Sequence, residues 1–219
     1  LISVSIVPYG NRYYSNNLFC GTHEGKSFRL SNLRTVFHSI HSRNIKNFSG
    51  VALIVDLPKP ATATIIATNH VNKLITKLDF QGVRRGDEFA EFEAIDKFGT
   101  SSELKFFSNN KQLATPLITA EFLGAISKIS RRLEQMRNDH AVKTIFAVKW
   151  LFAHPQNSSL FRMEIQARQL MILFAVPLYD LFELNHGLLP TYDLEAATAR
   201  VARQLAVMRE IIAETDALY

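Results

Sequence analysis

The stretch from Cys20 to His41 holds most of the residues able to do chemistry, and it supports three readings. Cys20-Gly-Thr-His-Glu-Gly-Lys-Ser27 keeps the phosphate-loop spacing GxxxxGK[ST] except that Cys20 stands where the first glycine belongs. The apolar run Val51 to Asp56 ends on an acid, as a magnesium-liganding strand would. Against a nucleotide loop, Glu24 puts a carboxylate inside an anion cradle, and the turn lacks a glycine that lets the backbone curl. Tyr13 to Asn17 is also a poor buried strand to lead into such a loop.

The second reading is a metal. Cys20 and His23, then His38 and His41, form two pairs with zinc-ligand spacing. Structural zinc sites mostly carry at least two cysteines, and this chain has one, so no metal is assigned and no cofactor is expected. The alternative for these side chains is a small apolar Cys20 and histidines on a solvated basic face.

The third reading is electrostatic. Residues 1 to 60 carry seven Lys/Arg against Glu24 and Asp56, an excess of +5, while the remaining 159 residues balance. Tyr9, Tyr13, Tyr14, Phe19, Phe28, Phe37 and Phe48 are threaded through this block. Cations neutralise phosphates and ring faces stack on bases, so the pattern suits a polyanion. Arg29, Arg34, Arg43 and Lys46 are the expected phosphate contacts, with Tyr13 and Tyr14 as stacking platforms. Gly82-Val83-Arg84-Arg85-Gly86 reads as a hairpin tip that adds Arg84 and Arg85 to the patch.

Other catalytic signatures do not occur: there is no GxSxG elbow, HExxH pair, dinucleotide glycine fingerprint or CxxC. Glu91 and Glu93 are read as wet-face residues of an alternating strand, and Asp87, Glu88 and Asp96 as acids balanced by the neighbouring Arg84 and Arg85. No enzyme is expected.

These residues need a scaffold, and the sequence changes character near Pro116. Before it, runs rich in Val, Ile, Phe and Thr alternate with turn residues: Leu1 to Val7, Val51 to Leu57, Thr62 to Thr68, Val71 to Phe80, Glu88 to Ile95 and Glu103 to Phe107. They predict a mainly antiparallel sheet. One helix is expected within it, capped by Ser31 and carrying Leu33, Val36, Phe37 and Ile40, which would align Arg34, His38 and His41.

After Pro116 the period is helical. Thr119 caps a helix with Glu121 in its first turn and an apolar stripe of Phe122, Ile126, Ile129, Leu133 and Met136. Further helices are expected from Asp139 to Ala153, from Ser159 to Asn185 with a break at Pro177, and from Asp193 onward burying Leu194, Val201, Leu205, Met208 and Ile212. The fold class expected is α+β: a mainly antiparallel β domain over about 1–118 and a helical bundle over about 119–219.

The longest apolar run, Leu170 to Leu178, is nine residues against the ~20 a membrane helix needs, so no membrane partner is expected. One cysteine excludes an internal disulfide. Leu1 opens the sequence without a methionine or a basic segment leading into an apolar stretch, so any targeting peptide is expected to have been removed or never present, and the compartment stays open.

In part, the chain resembles the Whirly family of single-strand-binding proteins. The resemblance lies in strands Glu88 to Ile95 and Glu103 to Phe107, the segment Leu113 to Ile118 and the helix opening Thr119-Ala-Glu-Phe-Leu, with Phe48-Ser-Gly-Val-Ala-Leu53 similar to the first-strand motif. It covers less than a third of the chain, and Ser49 and Val51 stand where that motif has paired lysines. It implies a sheet that binds single strands.

The leading expectation is a non-enzymatic nucleic-acid-binding protein, DNA and RNA undistinguished, whose helical part mediates self-association or docking. The alternatives are a structural or assembly subunit that meets a protein partner and an NTPase with a degenerate phosphate loop.

Overall fold

A computed structural model describes residues 12–39, 42–69, 93–95, 104–142, 161–176 and 194–218. The strands are β1 (Arg12–His23), β2 (Lys26–Ser39), β3 (Ser42–Asp56), β4 (Ile65–Thr68), β5 (Glu93–Ala94), β6 (Lys105–Ser108), β7 (Phe161–Gln166) and β8 (Gln169–Ala175). They form an eight-stranded sheet in the order β1-β2-β3-β8-β7-β4-β6-β5, with every pairing antiparallel. The helices are a single turn α1 (Lys111–Ala114), α2 (Ala120–Val142) and α3 (Leu194–Glu214). The α+β class therefore holds, and the sheet takes strands from both sides of residue 118.

The predicted α2 forms as its sequence demands. Thr119 Oγ1 accepts the Phe122 amide at 3.1 Å, Glu121 sits in the first turn, and Phe122, Ile126, Ile129, Leu133 and Met136 are all buried. Those side chains and Met208, Ile211 and Ile212 of α3 pack on one sheet face against Leu30, Val51, Leu53, Val55, Met163, Ile165, Leu170 and Ile172. Lys128 bonds Glu214 at 3.1 Å and Arg132 bonds Glu210. Moving four residues forward on one helix and four back on the other keeps the pairing, so α2 and α3 run antiparallel.

Two expected helices are strands instead. Residues 31–39 belong to β2, which pairs with β1 on one side and β3 on the other. Asn32 and Val36 are buried on one face and Leu33 and Thr35 on the other. A strand covered on both faces loses its alternation, and Leu33, Val36 and Phe37 then mimic helical spacing.

The expected helix from Ser159 to Asn185 is, over 161–175, the β7–β8 hairpin, closed by Ala167 and Arg168 with Ala167 at φ 50°. Its apolar run forms β8, between β3 and β7 in the sheet centre, with Leu170, Ile172 and Phe174 in one buried cluster and Met171, Leu173 and Ala175 in another. Run length, not periodicity, was the only cue available there. The expected bundle is accordingly reduced, among the described residues, to α2 and α3 on a sheet face. The expected strands Leu1 to Val7 and Val71 to Phe80, and residues 143–153 of the expected second helix, lie outside the described residues.

Candidate nucleic-acid interface

β1, β2 and β3 run far longer than the other strands. β8 pairs with β3 only over Gly50 to Asp56, so beyond Gly50 the first three strands continue together as a ribbon. Register decides which residues share a face, because opposite partners in an antiparallel pair point the same way and neighbours along a strand alternate. Tyr14 lies opposite Arg34, and Arg12 opposite Val36. Arg12, Tyr14 and Arg34 therefore lie on one face, with Arg12 exposed, Tyr14 51% exposed and Arg34 half-buried. Lys46 is the register partner of Val36. Opposite Cβ atoms sit about 4.5–5.5 Å apart, so the side chains of Tyr14 and Arg34 leave the sheet side by side. Among the described residues neither Arg12 nor Arg34 has a carboxylate partner.

The remaining expected contacts are distributed otherwise. Arg29 is an odd number of residues from Arg34 in a stretch of regular register, so it lies on the other sheet face. There its Nη2 meets Asp56 Oδ1 at 3.3 Å, an oxygen that also accepts from Gln169 Nε2 at 3.3 Å. Arg29 is thus engaged by an acid and is removed from the patch. Tyr13 is 48% exposed but alternates to the face opposite Tyr14. Arg43 lies in β3 close to the Ser39–Ser42 register pair. Arg84 and Arg85 lie outside the described residues. Arg12 was missed in the sequence because its link to Tyr14, a spacing of two, carries meaning only on a strand.

The Cys20 to Ser27 stretch is a hairpin and not a phosphate loop. His23 pairs with Lys26 around Glu24 (φ 50°) and Gly25 (φ 76°), two consecutive left-handed residues of the kind that close a two-residue hairpin. No helix follows, and Lys26 is committed elsewhere. Its side chain is 7% exposed, and Nζ donates to the Ile212 carbonyl at 3.1 Å and meets Asp216 at 2.7 Å. The last turn of α3 contains no basic residue of its own. Lys26 supplies from the hairpin the cation that the negative end of a helix favours, and it satisfies a terminal carbonyl.

Because Thr215 Oγ1 also donates to Ile212 O at 2.6 Å, that carbonyl keeps one partner without the lysine. Lys26→Ala is therefore expected to cost about 1–2 kcal/mol, a fall in melting temperature of roughly 2–8 °C. Thermal unfolding checks this, and an unchanged midpoint would remove the capping role.

The metal reading fares no better. Cys20 and His23 are an odd number of residues apart on β1, which sends them to opposite faces. Among the described residues no group of three potential ligands converges. Cys20 is an exposed free thiol, His38 lies in β2, and His41 is outside the described residues.

No family model and no curated protein matches the chain. Among solved structures, the crystal structure of the mycobacterial trehalose monomycolate transport factor A aligns with a TM-score of 0.34 at 6% identity, over 91% of this chain and 73% of that one. Likeness at that level assigns neither a fold nor a function.

Proposed function

We propose that the protein is a non-enzymatic nucleic-acid-binding protein that holds a single strand against the β1–β2 ribbon. The observation that carries this reading is the placement of Arg12, Tyr14 and Arg34 on one face, with both guanidinium groups free of carboxylates among the described residues. The two arginines hold phosphates, and the ring between them offers its face to a base. Lys46, the register partner of Val36, is the further expected phosphate contact on the ribbon. Single strands suit the site better than duplex because an exposed ring can stack only on a base that is unpaired. Few cations are involved, so affinity at physiological salt belongs in the non-specific range of about 10⁻⁴–10⁻⁶ M.

A filter-binding titration with a single-stranded oligonucleotide across salt concentrations tests it. Arg34→Ala is expected to reduce the slope of log affinity against log salt by about 0.7, the share of one phosphate contact on a single strand. Tyr14→Ala should cost about 1–3 kcal/mol with the slope unchanged. Absence of binding at low salt, or affinity indifferent to salt, removes the proposal. Sizing gives the other arm: a discrete hetero-assembly indifferent to nuclease, without oligonucleotide affinity, supports the assembly-subunit reading.

A further inference from the structure

Strand β1 is the edge of the sheet among the described residues, and it is built unlike a protected edge. At twelve residues it is about 40 Å long. Natural edges are commonly blunted by Lys, Pro or brevity, because unpaired peptide groups recruit other strands. β1 has no lysine and no proline, and it carries no formal charge from Tyr13 to Thr22. Arg12 to Asn16, Leu18 and Cys20 to Thr22 are exposed. Of the four exposed large hydrophobic side chains among the described residues, three lie on this strand: Tyr13 (48%), Tyr14 (51%) and Leu18 (67%). One protective feature is present, an irregularity between Asn16 and Phe19, and it leaves a regular arm on either side.

We propose that β1 pairs antiparallel with β1 of a second copy of this chain, joining two sheets into one. Charge selects the occupant. An acidic partner strand would find one guanidinium, Arg12, at the far end. A second copy running antiparallel meets an uncharged strand, and its Arg12 falls at the opposite end of the pair, so no like charges oppose one another. The two-fold axis of such a pair stands perpendicular to the sheet. Both Arg12, Tyr14 and Arg34 faces then lie on the same side of one extended sheet. The pairing does not depend on the nucleic-acid reading, because it uses the edge of the ribbon and not its face.

The test is sedimentation equilibrium of the nuclease-treated full chain from about 1 to 100 μM, a range that brackets micromolar affinity, with hydrogen exchange read at both ends. The expected result is a dimer, with amides of residues 12–23 gaining protection as concentration rises. Leu18→Lys brings two charges to the symmetric edge and should raise the dimer dissociation constant about tenfold or more. Leu18 lies within the irregularity, so Tyr13→Lys repeats the test on a regular arm, and melting temperature confirms that each variant folds. A monomer throughout, a dimer lost to nuclease, or β1 amides that ignore concentration overturns the proposal. So does a dimer that neither substitution weakens. A dimer without oligonucleotide affinity keeps the pairing and removes the binding reading, and a monomer that binds does the reverse.

Discussion

Phe122→Ala is expected to cost about 3–5 kcal/mol and to lower the melting temperature by roughly 6–20 °C. Phe122 is 1% exposed in the first turn of α2, where the Thr119 cap fixes its backbone amide, and its ring meets Phe106 of β6 at 6.4 Å between centroids and 52° between planes. Truncation removes a full aromatic side chain at the point where helix and sheet are tied, and capped backbone cannot move in to fill the space. Phe122→Leu restores most of the volume and loses the ring pair, so its cost should be about 1–1.5 kcal/mol. Denaturant or thermal unfolding of the two variants decides the matter, and equal losses would mean that packing volume is not what holds α2 in place.

Gly50→Ala is expected to cost about 3 kcal/mol, a fall of roughly 6–12 °C, for the opposite reason. A Cβ on Gly50 would lie 2.0 Å from the Phe174 carbonyl oxygen, 2.6 Å from Cζ of Phe48 and 2.9 Å from Cα of Ala175. Two of those atoms are backbone of the neighbouring strand, so the clash is relieved only by parting β3 from β8. Gly50 is also where β3 leaves β8 and continues in the ribbon, which makes this small residue the seam between the core and the candidate interface. The same measurement checks it, and a midpoint shift under about 2 °C would show that the strands part at little cost. Gly25→Ala is a useful contrast: no atom lies within 4 Å of a Cβ there, and the strain is confined to its φ of 76°.

Much of the scaffold was legible before any coordinates. The α2 stripe, the Thr119 cap and the strand content of residues 51–56, 65–68 and 105–107 follow from period and cap chemistry, which act over a few residues and need no partner. The start of α3 followed as well, and of the five residues expected to face its core, Met208 and Ile212 are fully buried. β2 and β8 were misread because each is buried on both faces, a condition imposed by distant segments. In β8 an apolar residue at nearly every position satisfies a helical template and a central strand equally well, and in β2 Leu33, Val36 and Phe37 fall at helical spacing.

The candidate site divides in the same way. The concentration of cations and aromatic rings in the first sixty residues was plain in the chain, and so was the weakness of the phosphate-loop match at Cys20. Which cations stand together was not. Arg34 beside Tyr14, Arg29 turned to Asp56 and Lys26 drawn to the end of α3 depend on strand register, and shifting register by one residue exchanges the two faces.

Composition and local spacing by themselves determined the α+β class, the basic bias of the opening residues and the helix that covers the sheet. Tertiary pairing alone decided that β7 and β8 enter the middle of that sheet, that Arg12 joins Tyr14 and Arg34 on one face, and that β1 is its edge among the described residues. The reason is that hydrogen bonds between strands connect residues far apart in sequence, and no local preference encodes which neighbour a strand will find.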